Sequence, residues 1–535
     1  MRNVRRESIG LVGLVVAVIG LSLGCGRGNF SEKASQGSAQ TLRVALHTQP
    51  TTMDPARVQD VDTGGVLDHV YEGLVAYTPE NVIGPGLAAE WSLDEAGTTY
   101  TFRLREAKFH NGKPVTAADV KSSLERHLSS KVGSPTAANY LADIVGAREV
   151  AEGKATDLAG VKVLNDRTLT IQIDARKPFF LGKLTYPCAF VLPNGGPATE
   201  ILRIEDAIGT GPFRVERWIP QQEVVLRANP DYHGGAPRLA SISRPVILDA
   251  AARMNKFRAG ELDLLSLERQ DIAGVERDPQ LKGQLQRLPR PAVYYVSMNQ
   301  AAYPPFRDAR VRRAFAMAVD RRSIAEKTVG LPFAAGLVPP GIPGHREGLA
   351  GIPFDPNAAR RLLAEAGYAG GAQLPPLAMF YRDGRPDSEL LAVSIIGDLK
   401  KNLGVDVQAR SLEWGAFLER RNKNELPMFG GSWYGDYLDP ENFLSFLFAS
   451  TSKQNYDALR DPMVDALARQ ADRMPDGPAR WAEYAALEDR ILELAPRMPV
   501  YFGQDFLMVS PRVKRLRSNV MALLPHTTTT VDDTP

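Results

Sequence analysis

Cysteine is nearly missing from this chain: of 535 residues, only Cys25 and Cys188 carry a thiol. Cys25 closes an N-terminal apolar run, so Cys188 stands alone in the apolar context Tyr186-Pro187-Cys188-Ala189-Phe190. One cysteine forms no internal disulfide, so a buried, inert thiol is expected and burial alone must hold the fold. An excess of charge is missing too, with 64 basic against 62 acidic side chains. Residues 1–25 hold three arginines and one glutamate, so without them the balance is zero. That excludes the concentrated positive charge needed to bind nucleic acid. No long apolar run follows Leu23, and the rest of the chain reads as soluble.

Local signatures of catalysis are absent as well. The seven histidines (47, 69, 110, 127, 233, 345 and 526) never fall within one helical turn of each other. Neither His-Glu-x-x-His nor Cys-x-x-Cys occurs, so no zinc site is expected. There is no Gly-x-Ser-x-Gly elbow and no Gly-x-x-x-x-Gly-Lys-Ser/Thr phosphate loop. Gly209-Thr210-Gly211-Pro212 is glycine-rich, but Pro212 removes an N–H donor where a phosphate loop needs one, and it reads as a turn or hinge. No enzyme activity, metal or cofactor is expected.

What is present begins with a three-part leader. Arg2, Arg5 and Arg6 precede the apolar run Ile9–Leu23, which is broken by Gly10, Gly13 and Gly20 and ends at Gly24-Cys25. It is short for a membrane span and fits an export signal over 1–25. Residues 26–40 are rich in Gly, Ser, Gln and Lys and read as a flexible tether. The remainder is too long for one core and implies two or three domains.

Strands and helices alternate irregularly after the tether. Thr41–His47 and Thr98–Leu104 alternate apolar and polar side chains, as half-buried strands do, and Thr168–Ile173 and Glu223–Arg227 are further strands. Asn111-Gly112 marks a turn. Thr116 and Asp119 have capping-box spacing ahead of Val120, Leu124 and Leu128. Helices are expected after Asp308, Asp355-Pro356 and Asp461-Pro462, through Leu391–Leu399, and from Trp481 to Ile491. A strand at Val405–Val407 follows Gly404. Pro-rich breaks fall at 193–197, 288–291 and 339–343, the first two as candidate domain crossings. The fold class is α/β with several lobes.

The most informative stretch is Gly430-Gly431-Ser432-Trp433-Tyr434-Gly435-Asp436-Tyr437-Leu438-Asp439-Pro440. It sets one carboxylate, Asp436, among three aromatic side chains. That chemistry suits a ligand ammonium, held by a charge-assisted hydrogen bond and by cation–π attraction. The bland alternative is a glycine-rich turn with Trp433 as core filler.

Several motifs in order resemble the bacterial extracellular solute-binding proteins of family 5, the oligopeptide- and dipeptide-binding group serving ABC importers. They include Leu87-Ala88-Ala89-Glu90-Trp91, Tyr100–Arg105 with Lys108–Gly112, Gly209–Phe213 and Arg227–Tyr232. Further on come Gly260–Asp263, Val319-Asp320-Arg321, Asp355–Tyr368 and Ala495–Tyr501. The resemblance covers about residues 41–505. It implies a periplasmic-binding-protein-like fold (type II, cluster C) with ligand enclosed between domains I and III. Domain I would comprise 41–62, 200–289 and 505–535; domain II, 63–199; domain III, 290–504. Strand crossings near 288–291 and 500–505 would form the hinge.

In peptide-binding members an aspartate matching Asp436 pairs with the ligand α-amino group, and Trp433 matches a pocket-lining tryptophan. Main-chain bonds from Gly431-Ser432-Trp433 and from Thr48-Gln49-Pro50 would hold the rest of the peptide, with Tyr434 and Tyr437 nearby. The family's basic partner for the ligand carboxylate falls on Gly430 here, and a histidine position falls near Ser388. Dipeptide binders of the family use an arginine in the region matching Tyr381-Arg382-Asp383-Gly384-Arg385, so the resemblance offers Arg385 or Arg382, against a plain reading as solvated turn arginines. Cys25 after Gly24 resembles a lipoprotein processing site, although Ser22 stands where that pattern has leucine. The chain is thus expected to be a monomeric, lipid-anchored receptor in the cell envelope, handing short peptides to an ABC permease. Alternatives are the same role for an oligosaccharide, opine-like compound or metal chelate, and, more remotely, an envelope hydrolase.

Overall fold

The computed structural model of the protein describes residues 40–522 and 524–532. The leader, Cys25 and the tether up to residue 39 lie outside the described residues. No described helix is long and apolar enough to cross a membrane.

Three main sheets organise the chain. The first runs in the order Thr41–Arg43, Ser241–Pro245, Glu223–Ala228, Phe213–Ile219, with only the first pair parallel. The second is wholly antiparallel: Ala88–Leu93, Thr99–Leu104, Thr168–Gln172, Val161–Asn165. The third has six strands in the order Leu264–Ser266, Arg497–Val509, Leu285–Met298, Met428–Tyr434, Leu377–Arg382, Val407–Leu412.

Each sheet has its own apolar core. Leu42, Val66, Phe213 and Leu226 fill the first, and Phe102, Leu124, Leu169 and Phe180 the second. Val296, Phe315, Ile395 and Met498 sit in the third and largest. The alternation read at Thr98–Leu104 is realised: Tyr100, Phe102 and Leu104 all point inward and are buried. Cys188 is fully buried, and burial pushes its thiol up to about 12, which leaves it inert.

Helix starts follow their side-chain caps. Thr116 and Asp119 exchange both capping-box bonds at the head of Ala117–Leu128, at 2.8 and 3.3 Å. Asp308, Asp355 and Asp461 each accept a backbone N–H at the expected helix starts.

Two expectations are corrected. The prolines of Leu288–Pro291 do not break the chain between elements; they lie inside the continuous strand Leu285–Met298. Pairing with Arg497–Val509 lapses between Pro289 and Val293, where the prolines have no N–H to give. Met428–Tyr434 starts pairing only at Ala292, so no ladder is lost on that side. The strand expected at Val405–Val407 begins only at Val407 and runs to Leu412. Gly404 ends the preceding helix in the left-handed region, and Val405 is buried in the turn against Gly371.

The glycine-rich 209–212 segment also gains a physical reason. A Cβ on Gly209 would lie 1.9 Å from the Val70 carbonyl oxygen, and one on Gly211 2.5 Å from that of His69. Backbone meets backbone here, so neither contact can be relieved by turning a side chain. Gly209→Ala is expected to destabilise the fold by about 1–3 kcal/mol or more, read as a lower urea midpoint with unchanged slope.

Candidate ligand-binding site

The strand Met428–Tyr434 lies inside the third sheet and carries the chain to Asp436. On one edge it pairs along its whole length with Leu285–Met298, from Met428↔Met298 to Tyr434↔Ala292. On the other it pairs with Leu377–Arg382 only at Met428 and Phe429. From Gly430 to Tyr434 this second edge therefore has no strand partner among the described residues. An open edge of that length can accept an extended chain through main-chain hydrogen bonds.

Beyond the strand the backbone folds over on itself and is fixed by side chains. The Gly435 N–H donates to the Pro291 carbonyl at 2.6 Å, and a Cβ there would lie 2.7 Å from Phe443. Asn442 Oδ1 accepts both the Asp436 N–H and the Trp433 Nε1–H, each at 3.0 Å. The turn Pro440–Asn442 that carries Asn442 is N-capped by Asp439. Arg480 grips Asp439 with two bonds, at 2.7 and 2.8 Å, in full burial. Such fork-to-carboxylate pairs fix geometry as well as charge.

Tyr437 braces the turn from behind. It is buried, stacks on Phe179 with ring centres 6.2 Å apart, and donates its hydroxyl to Glu441. Tyr77 Oη accepts the Leu438 N–H at 2.8 Å. Residues 437–438 thus tie the third core to the second, from which Tyr77 and Phe179 come.

Asp436 lies among dense protein, with part of its surface left accessible. Opposite it stand Tyr140 and Tyr186, whose rings stack with centres 4.1 Å apart. Cys188 is within electrostatic reach of Asp436. Burial pushes the Asp436 carboxyl up to about 6, only partly offset by the Tyr140 hydroxyl and the Asn442 amide. No cation pairs with Asp436 among the described residues.

Several buried carboxylates are compensated. Asp54 meets Arg126, Asp263 meets Arg43 and Arg512, Asp439 meets Arg480, Asp457 meets Arg497 and Glu488 meets Arg346. An uncompensated interior charge is costly, and among the described residues Asp436 shares that state with Glu441, pushed up to about 8, Asp68 and Asp472; of these only Asp436 follows directly on the open strand edge.

The remaining expected residues are spread around this point. Trp433 is half-buried and packs on Phe446, ring centres 5.5 Å apart. Tyr434 is 46% exposed, and its hydroxyl lies 2.7 Å from that of Tyr294. Gly431 and Ser432 face Tyr295 and Tyr294 across the ladder. On the first sheet's side, the Thr48 N–H is already taken by Asp62 at 2.8 Å, and Gln49 Oε1 accepts the Gln221 N–H at 2.9 Å. Arg382 lies over Trp414, 4.5 Å from the ring centre, and Arg385 is exposed at the head of the helix Pro386–Leu403, within electrostatic reach of Tyr434. Tyr140, Tyr186 and Asn442 were missed in the sequence, where nothing local marks them; only the packing of the second core against 435–442 brings them to Asp436.

Residues 82–455 match the family model described as "Bacterial extracellular solute-binding proteins, family 5 Middle". The chain is 31% identical over 494 residues to the "Probable deoxycholate-binding periplasmic protein YgiS" of Escherichia coli (strain K12), covering 89% of this chain and 90% of that one. It is 30% identical over 495 residues to the periplasmic murein peptide-binding protein MppA of the same organism, with the same coverage. The solved structure of the Escherichia coli murein tripeptide binding protein MppA superposes with a TM-score of 0.79 at 28% identity, covering 93% of this chain and 99% of that one.

Proposed function

This chain belongs to the bacterial extracellular solute-binding proteins of family 5, and on that footing we propose that it captures short peptides by their α-ammonium group. It is a solute-binding receptor of an ABC importer, working outside the cytoplasmic membrane. The observation that carries the peptide reading is Asp436: a partly accessible carboxylate at the end of the open strand edge, pushed up by burial, with no cation paired to it among the described residues. The open edge Gly430–Tyr434 supports it, since a peptide backbone laid there gains affinity without demanding particular side chains. Water filling the space beside the tyrosines would then tolerate varied side chains.

In this reading the three cores are domains I, II and III, and the paired strands Leu285–Met298 and Arg497–Val509 are the hinge. Ligand shifts the population toward the closed form by contacts that only this form makes. Cys25 would carry the lipid that tethers the receptor, which acts as a monomer and performs no covalent chemistry. A second reading, favoured by the similarity to a protein named for deoxycholate binding, is a non-peptide solute resting on Tyr140 and Tyr186. A steroid acid has no ammonium, so Asp436 would then contribute no attraction.

Acidity separates the two. Asp436 titrates at about 6, so it is charged above that pH and protonated below it. An ammonium ligand needs the charged form, so its affinity should be highest near pH 7, fall along an acid slope of up to about tenfold per unit below pH 6, and decline again toward pH 8 as the peptide's own α-amino group loses its proton. Asp68, pushed up to about 7, and Asp472, at about 6, titrate in the same window, so Asp436→Asn is the control. Calorimetry from pH 4.5 to 8 with trialanine should show the slope in the wild type and lose it in the variant. The same slope in both would remove Asp436 from the site.

A further inference from the structure

Arg269 and Asp387 are 118 residues apart in the chain, yet the Arg269 Nε–H donates to Asp387 Oδ2 at 2.5 Å. The two residues follow strands on opposite flanks of the third sheet. Arg269 opens the helix Arg269–Arg277, just after the strand Leu264–Ser266. Asp387 stands in the first turn of Pro386–Leu403, just after the strand Leu377–Arg382. Between those strands lie three others, Arg497–Val509, Leu285–Met298 and Met428–Tyr434. At about 4.8 Å per step the two strands are roughly 19 Å apart, so the segments that follow them must arch toward each other to make the contact.

The arch stands at the mouth of the open edge. Met428–Tyr434 and Leu377–Arg382 run parallel and pair only at Met428 and Phe429. Past Phe429 they part, so the gap beside Gly430–Tyr434 opens at the strand ends from which Asp387 and Asp436 follow. On the strands between, Tyr294 and Tyr501 stack with ring centres 4.4 Å apart, and the Tyr294 hydroxyl lies 2.7 Å from that of Tyr434. The Arg269 charge reaches both Tyr294 and Tyr501, in keeping with a pair that spans this end of the sheet.

Local structure does not account for the pair. A basic side chain in the first turn meets the positive end of the helix dipole, and Arg269 holds that position. Neither helix has a side-chain bond at its N-cap. In Arg269–Arg277 only Val275 is buried, so this helix is lightly held and can shift without opening a core. The paired side chains are 24% and 37% exposed. An ion pair so placed adds little to folding, but it weighs on a balance between an open and a closed arrangement.

We propose that the Arg269–Asp387 pair is a latch across the mouth of this gap, which parts to admit a ligand to the Gly430–Tyr434 edge and re-forms to retain it. The latch does not depend on which ligand is taken; its retention of a peptide rests on the peptide reading.

Hydrogen–deuterium exchange of the ligand-free protein, read by mass spectrometry over residues 430–436, would compare wild type, Arg269→Gln, Asp387→Asn and the double variant. Each single change should speed exchange there about three- to fivefold, the scale of a partly exposed ion pair, and the double should be no faster than either single. Glu90→Gln, which removes the exposed Arg103–Glu90 pair of the second sheet, should leave it unchanged. Unchanged exchange in both single variants, or single effects that add in the double, would overturn the latch. Salt at about 1 M screens such a pair, so it should bring the wild type to the rate of the single variants. A wild type indifferent to salt overturns the latch even where a variant fails to fold. Stopped-flow release of trialanine should be faster by the same factor from Arg269→Gln, and an unchanged release rate overturns retention. A wild type that takes no trialanine overturns the peptide reading instead, and the exchange result still decides the latch.

Discussion

Asp436→Asn should make the ligand-free protein more stable and the receptor worse. The carboxyl titrates at about 6 in the fold against an ordinary 3.8, so keeping it ionised costs the folded state free energy. The sign follows directly. A raised carboxyl value means a penalty that is complete above pH 6 and vanishes below about pH 4. At pH 7.5 the amide should recover up to about 3 kcal/mol, the scale of a two-unit shift. Binding of a free peptide should weaken by at least about 1.5–3 kcal/mol, the scale of a hydrogen bond to a charged group. Urea denaturation and calorimetry on the same sample read both. A residue kept only for packing would move the two together, and a drop in stability with intact affinity would reject the assignment.

Arg480→Met should move both quantities downward. Arg480 is fully buried and pairs with Asp439 through two bonds, while also reaching Asp476 and the Tyr484 hydroxyl. Its loss leaves Asp439 as an unpaired interior charge, which typically costs about 3–5 kcal/mol. Because Asp439 caps the turn that places Asn442, and Asn442 holds the Asp436 N–H, peptide affinity should fall as well, by about tenfold or more. The double change Arg480→Met with Asp439→Asn removes the stranded charge and should recover part of the stability. If the double variant is no better than the single one, the cost lies in packing and not in charge.

The sequence made local features legible and left assembled ones hidden. Caps at Thr116, Asp308, Asp355 and Asp461 were readable because a cap is settled within four residues. The inward face of Tyr100, Phe102 and Leu104 was readable because a strand alternates. Pro289 and Pro291 looked like a chain break, since the partner strand that carries Leu285–Met298 past them lies some 200 residues away. Asp436 stood out through its aromatic neighbours, but its lack of a counter-ion among the described residues is a statement about three-dimensional surroundings. Tyr140, Tyr186 and Asn442 come from three separate stretches, and no spacing rule connects them.

The most direct measurement is native mass spectrometry of the purified protein in an equimolar mixture of free and N-acetylated tripeptides. Acetylation removes the one positive charge while leaving the backbone edge contacts possible. Bound complexes carrying almost only the free peptides are the predicted result. Acetylated and free peptides bound in equal amounts would mean that no ammonium is being recognised, and Asp436 would lose its role.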